Sequence, residues 1–119
     1  MPTVVIVGAS SDPNKFGHRA VRAYAKKGWT VIPINPHETT IAGLAVRPRL
    51  EDVTGPVDRV SFYVPPHVGL GLLPAVRALA PREFWVNPGA ESDALIAEAE
   101  RLGLDPINAC SIVDIGERP

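Results

Sequence analysis

The sequence predicts an α/β domain, a parallel sheet with helices on both faces. Three observations predict it. Short apolar runs alternate with stretches of helical periodicity, in the order β-α-β and then β-α-β-α-β, and this alternation builds a parallel sheet covered on both sides. The first apolar run, Val4 to Val7, is wholly β-branched, the composition of a strand buried on both faces. The chain has 119 residues, 45% of them apolar, enough for one domain with its own core and too few for two ordinary ones.

Strand one is expected at Thr3 to Val7. Gly8 ends it, and Ala9, Ser10 and Ser11 form a small-residue turn before a helical pattern starts near Lys15. Strand, glycine turn and helix aim free backbone N–H groups and a helix N-terminus at one point, which suits a phosphate. Helix one is expected over Lys15 to Lys27. Phe16, Ala20, Ala23 and Tyr24 give its packing face, and Gly28 ends it. Its cationic residues are Lys15, His18, Arg19, Arg22, Lys26 and Lys27, and it has no acidic residue. Lys26 and Lys27 sit where the macrodipole favours cations. Lys15, Arg19 and Arg22 share one face and begin at the end where cations are disfavoured. Lys15 and Arg19, beside the turn, are therefore expected to meet an anion. Arg22 reads as readily as part of a solvated face.

Trp29 to Asn35 is the second strand. Pro33 cannot donate to a ladder and places this strand near the sheet edge. Asn35 stands where a dinucleotide site uses a carboxylate for the ribose. Gly8 and Gly17 also fail the spacing of the G-x-G-x-x-G fingerprint, and both departures argue against NAD. Glu38 to Gly55 is irregular, with strand pieces at Ile41 and at Leu44 to Val46 around Gly43, and a helical turn within Pro48 to Val53. Val57 to Tyr63 is the next strand. It runs into the rigid loop Tyr63-Val64-Pro65-Pro66-His67, at a carboxyl end where open α/β sheets bind ligands. Tyr63 itself also fits a core aromatic with its hydroxyl at the surface. Val68 to Ala80 has helical register, and Pro74 is expected to kink or restart it. Glu83 to Val86 is a short strand, followed by a second small-residue loop, Asn87-Pro88-Gly89-Ala90-Glu91. Ser92 caps a helix that Gly103 closes. Leu104 to Ile107 is the last strand, and Asn108 to Val113 a terminal segment. The expected sheet order is 3-2-1-4-5, strand three being Val57 to Phe62 or a shorter piece before it.

Composition excludes several function classes. A formal net charge of -1 gives no electrostatic case for nucleic acid. The single cysteine, Cys110, excludes an intramolecular disulfide and a cysteine metal cluster, and fits a reducing, cytoplasmic setting. No stretch approaches the roughly 20 apolar residues of a membrane span, and the apolar N-terminal run lacks a basic leader. His18, His37 and His67 lack metal-ligand spacing and are expected exposed or capping loops. Ser10 and Ser11 have no visible base and no nucleophile elbow. Glu91 and Asp114 are isolated carboxylates. Cys110 is expected to be mostly buried, a metal-free small hydrophobe.

Four stretches in order carry a resemblance: Val5-Ile6-Val7-Gly8-Ala9-Ser10, Val31-Ile32-Pro33-Ile34-Asn35-Pro36, Tyr63-Val64-Pro65-Pro66 and Phe84-Trp85-Val86-Asn87-Pro88-Gly89-Ala90-Glu91-Ser92. Together they resemble the stand-alone bacterial coenzyme A-binding proteins, which are similar to the N-terminal nucleotide-binding domain of the succinyl-CoA synthetase α subunit. The resemblance runs from Val4 to about Val113 and implies one Rossmann-like domain over residues 1–119. It implies that Gly8, Ala9, Ser10 and Ser11, with Lys15, Phe16 and Arg19, meet the phosphates of coenzyme A. Asn35 and Pro36 would lie near the adenosine. Val64 and Pro65 would flank the nucleotide or the start of the pantetheine arm, and Asn87, Pro88, Gly89 and Ala90 would line the pantetheine path. Many relatives carry a cysteine near the end of this match, and Cys110 corresponds to it. A disulfide between Cys110 and the coenzyme A thiol is a secondary expectation. The synthetases' second domain, with its phosphorylated histidine, has no match in this sequence. The expected function is therefore a module that binds coenzyme A or an acyl-CoA without catalysis of its own, with a protein partner or a second copy as companion. The alternatives are an NAD(P)-binding oxidoreductase and a nucleotide-sensing regulatory subunit. The first needs a ribose or 2′-phosphate clamp at Asn35, the second a large exposed apolar patch.

Overall fold

The structure is a computed structural model and describes residues 1–119. In chain order its elements are β1 (Thr3–Val7), α1 (Phe16–Lys26), β2 (Thr30–Ile34), β3 (Thr40–Ile41) and β4 (Leu44–Ala45). Next come a 3₁₀ turn at Leu50–Asp52, then β5 (Arg59–Phe62), α2 (Pro66–Leu79), β6 (Glu83–Val86), α3 (Asp93–Arg101), β7 (Pro106–Asn108) and α4 (Ser111–Asp114).

Strand β1 sets the two-sided core. Successive side chains on a strand point to opposite faces. Val5 and Val7 pack with Leu73 and Val76 of α2 and with Leu95 and Ala99 of α3. Val4 and Ile6 pack on the other face with Ala20, Val21 and Tyr24 of α1 and with Ile112 of α4. Helices thus cover both faces, and each fully buried large apolar side chain stabilises the fold by about 1.5–3 kcal/mol. Phe62 and Phe84 meet edge to face with centroids 4.8 Å apart, tying β5 to β6. At the amino ends of the strands, Arg59 lies over the rings of Trp29 and Trp85 and pairs with Glu83 and Asp114. Burial opposes its charge, and its hydrogen bonds to the Tyr24 hydroxyl and Asp114, with Glu83 beside it, outweigh that and hold its pKa above the ordinary value.

The main sheet has five strands, all parallel, in the order β2-β1-β5-β6-β7. The Val57 to Phe62 strand therefore lies beside β1 and not at the edge, which corrects one of the two expected orders. Outside β2, the edge carries a single parallel bridge between Ile34 and Arg47. The intervening residues fold instead into the antiparallel β3–β4 hairpin, because Gly43, at φ +79, allows a reversal too tight for a crossover.

Three features depart from the sequence reading for physical reasons. Phe16 is 53% exposed and leaves the packing face, because Gly17 takes the contact with the end of β1. Helix α2 runs unbroken through Pro74. Pro74 faces solvent, while Leu73 and Val76 are fully buried, and that burial outweighs the roughly 3 kcal/mol penalty of an internal proline. Strand β7 starts two residues late, since the Leu104 N–H still closes α3 by donating to Ala99. Cys110 is partly buried against the α1 side of the core, more open than expected. No helix is long and apolar enough to cross a membrane.

Candidate functional site

In this strand order the chain leaves β1 for β2 on one side and returns to β5 on the other. The carboxyl ends of β1 and β5 therefore splay their loops apart, and such a switch point is where open α/β sheets bind ligands. The Gly8 turn leaves β1 there, and Tyr63-Val64-Pro65 leaves β5 beside it, with the Tyr63 N–H donating to the Val7 carbonyl at 2.8 Å. Gly8 has φ +90, and a Cβ there would sit 2.7 Å from the Tyr63 carbonyl oxygen. Only glycine meets both demands.

Two adjoining clefts open at this point. The larger, about 580 Å³, runs from Gly8, Ala9, Ser10 and Lys15 toward Asn35, Pro36 and His37, with Val64 and Pro65 on its other wall. The smaller, about 420 Å³, runs from the same turn past Lys15 and Phe16 to Pro88, Gly89 and Ala90. Gly8, Lys15, Tyr63, Val64 and Pro65 line both, so the two make one groove with the turn at its middle. Each is within the roughly 300–1,000 Å³ range of small-molecule sites.

The middle of the groove suits an anion. The backbone N–H groups of Ala9, Ser10, Phe16 and Gly17 take no acceptor within the chain. Lys15 is the N-cap of α1, makes no side-chain cap bond, and no acidic residue follows in the first turn. An uncapped helix start with a cation beside it attracts negative charge. The turn is braced from both flanks. Asn35 Nδ2 donates to the Ala9 carbonyl at 2.8 Å while its Oδ1 accepts the His37 N–H at 2.7 Å. The Ser10 hydroxyl accepts the Asp12 N–H at 3.0 Å.

Of the residues singled out in the sequence, Gly8, Ala9, Ser10, Lys15, Phe16, Asn35, Pro36, Val64, Pro65, Pro88, Gly89 and Ala90 line this groove. Ser11, Arg19 and Asn87 do not. Ser11 turns its N–H to Glu38 Oε2, 2.8 Å away. Arg19 reaches the Pro13 carbonyl and lies over the Phe16 ring. Asn87 is buried beneath the second loop. It donates to Ser61 Oγ and to the Phe62 carbonyl and accepts the Ser111 N–H, each at 2.8 Å. Tyr63 joins this network through Ser111 Oγ, and burial pushes its phenol up to about 12 against the pull of its hydroxyl partners. His18 departs from expectation. It is buried, with Nδ1 at 2.8 Å from the Ser10 carbonyl, so it braces the turn from inside. Sequence reasoning missed Glu38 and Arg49. Glu38 carried a signal as an acidic residue shortly after strand two. Arg49 enters the larger cleft from an irregular stretch whose path no periodicity reveals.

An open, doubly wound sheet with a ligand-sized groove at its switch point defines a Rossmann-like binding domain. Residues 2–116 match the family described as CoA binding domain, and the chain belongs to that family. A conserved hypothetical protein from Pyrococcus furiosus superposes with a TM-score of 0.87 at 30% identity, over 96% of this chain and 99% of that one. A Thermus thermophilus protein gives 0.85 at 27%, over 95% and 87%. A dinucleotide-forming acetyl-coenzyme A synthetase 1 of Ca. Korarchaeum cryptofilum, solved with phosphate and ADP, gives 0.77 at 27% identity, over 90% of this chain but only 25% of the synthetase. The uncharacterized protein YneT of Bacillus subtilis (strain 168) is 28% identical over 60 residues, 50% of this chain and 44% of its own length.

Proposed function

We propose that this chain binds coenzyme A, free or acylated, as a nucleotide-binding module without catalysis of its own. The observation that carries the reading is the groove's layout, with anion-seeking N–H groups and Lys15 at its middle and an arm on each side. Coenzyme A has the same layout, a diphosphate between an adenosine and a long pantetheine. The diphosphate would lie over Gly8 to Ser10 at the start of α1. The adenosine would take the arm toward Asn35 and Pro36. The pantetheine would pass Val64 and Pro65 toward Pro88, Gly89 and Ala90. Family membership and the likeness to an acetyl-coenzyme A synthetase support it. An NAD reading asks for a carboxylate free to take ribose hydroxyls after β2. Asn35 occupies that place, and Glu38 nearby is bound to Ser11.

Mass spectrometry of small molecules released from the purified protein tests this reading, together with melting curves. A ligand specific to the folded state stabilises it by about 2.7 kcal/mol at one hundred times its Kd. Coenzyme A should raise the Tm by several degrees and NAD at equal concentration should not. Equal stabilisation by NAD would overturn the proposal.

A further inference from the structure

The peptide between Ser10 and Ser11 is gripped from both sides by ionisable side chains. Its carbonyl accepts a hydrogen bond from His18 Nδ1 at 2.8 Å. Its N–H donates to Glu38 Oε2, also at 2.8 Å. The carbonyl and N–H of a trans peptide point in opposite directions, so two such bonds fix the orientation of its plane. The grips come from different elements, α1 and the loop after β2.

The partners of His18 settle its tautomer. A carbonyl can only accept, so Nδ1 carries the proton. Arg22 Nε donates to Nε2 at 2.7 Å, so that nitrogen carries none. The ring is a neutral donor aimed at Ser10, and Arg22 holds it there. This gives Arg22 a role away from any ligand. On the other side, hydrogen bonds from the Ser11 side chain and backbone hold the Glu38 carboxyl below its ordinary pKa, so it is charged at neutral pH.

A carboxylate at the rim of an anion-binding turn opposes phosphate binding by charge, and it occupies one of the turn's N–H groups. Its presence calls for a compensating use. We propose that His18 and Glu38 are positioning residues that lock the Ser10–Ser11 peptide and keep the Gly8–Ser11 turn in its binding conformation before the ligand arrives. This rests on the coenzyme A reading of the groove. Charge and position predict opposite outcomes for Glu38. If only its charge matters, removing it strengthens phosphate binding. If it positions the turn, removing it weakens binding and an uncharged acceptor restores it.

Two readouts test the lock. Amide hydrogen exchange of Ser11, followed by NMR without ligand, reports the grip itself. Glu38→Ala should speed that exchange about tenfold or more, and Glu38→Gln should restore most of the protection. Calorimetry with coenzyme A reads the consequence. Glu38→Ala should bind about tenfold more weakly despite losing a negative charge, while melting within about 3 °C of the parent. Glu38→Gln should stay within about twofold of the parent in affinity, by the same hydrogen-bond argument. His18→Asn, which keeps a donor near the Nδ1 position, should bind better than His18→Ala. The double variant His18→Ala with Glu38→Ala should lose less than the product of the single losses, because both act on one peptide. Unchanged or tighter binding by Glu38→Ala overturns the proposal, as does unchanged Ser11 exchange. If the parent itself fails to bind coenzyme A while Ser11 exchange responds as expected, the ligand reading fails and the locked peptide stands.

Discussion

Gly17 lies against the carbonyl of Gly8 so closely that a Cβ on Gly17 would overlap it. The two are too far apart in sequence for the dinucleotide fingerprint, yet they meet in space. The polar loop between them folds back on itself, with Asp12 accepting the Lys15 N–H at 3.0 Å and the Asn14 N–H at 3.0 Å. This contact seats the start of α1 over the end of β1. Gly17→Ala should destabilise the protein by about 1–3 kcal/mol, the usual effect of overpacking against backbone. Gly71, in α2, has nothing within 4 Å of a built Cβ, and Gly71→Ala should stabilise by about 0.5–1 kcal/mol. Urea unfolding of the two variants beside the parent checks both signs.

Lys15 and Arg19 should separate cleanly in binding. Lys15 lines both clefts, whereas Arg19 is committed to Pro13 and Phe16. Lys15→Ala should remove a charge-assisted contact worth about 1.5–3 kcal/mol, a loss of about tenfold or more in coenzyme A affinity. Arg19→Ala should bind within about threefold of the parent, a difference under the value of one hydrogen bond. Calorimetry at low and high salt should show the Lys15 effect shrinking with salt.

Tyr63 makes stability depend on alkaline pH. Its phenol, ordinarily near 10, is pushed up to about 12 by burial. Between those values the unfolded chain releases the proton and the folded protein keeps it. The stability Tyr63 contributes is therefore complete below pH 10 and is lost as pH rises toward 12. A shift of this size is worth about 2–3 kcal/mol. Urea titrations at pH 9 and near pH 12 should show a smaller drop for Tyr63→Phe than for the parent.

Asn87 should behave as a stability residue with an indirect effect on the groove. Asn87→Ala strips partners from the buried Ser61 hydroxyl, Phe62 carbonyl and Ser111 N–H. The Ser61 hydroxyl keeps Ser111 Oγ and the Phe62 carbonyl keeps the backbone N–H of residue 87, so the Ser111 N–H alone is left unpaired, and the variant should be destabilised by about 1–3 kcal/mol. Denaturation checks the first effect. Coenzyme A affinity at a temperature where the variant is still folded should fall less than for Lys15→Ala.

The sequence made the fold legible wherever local chemistry and tertiary packing agree. The β-branched run at Val4 to Val7, Gly28 after α1, and Ser92, whose hydroxyl accepts the Leu95 N–H at 3.1 Å, all behave as their residue types dictate. Pro33 does lie on an edge strand. Legibility failed where a distant partner decides. Pro74 reads as a break because the buried neighbours that override it become visible only in three dimensions. The order of β5 depends on a long connection with no period of its own. The small-residue turn of the groove was readable because Gly8 must be glycine. Asn87 reads as a lining residue in sequence, and only its depth shows it to be a brace. His18 and Arg19 stand side by side in α1, and sequence does not tell which of them turns inward.

The two edges of the sheet have a consequence for how this domain behaves in company. Pro33 lies in the outer strand β2, and Pro106 opens β7 on the opposite side. The Pro33 carbonyl accepts the Arg47 N–H at 3.0 Å and Arg47 returns its own carbonyl to the Asn35 N–H, so the β2 margin is already occupied. The β7 margin is three residues long. Neither side offers a run of free donors and acceptors on which a foreign strand could grow. The domain is thereby guarded against edge-to-edge aggregation. The same guarding lets such a unit stand alone or be joined to larger polypeptides without misaligned pairing between neighbouring sheets.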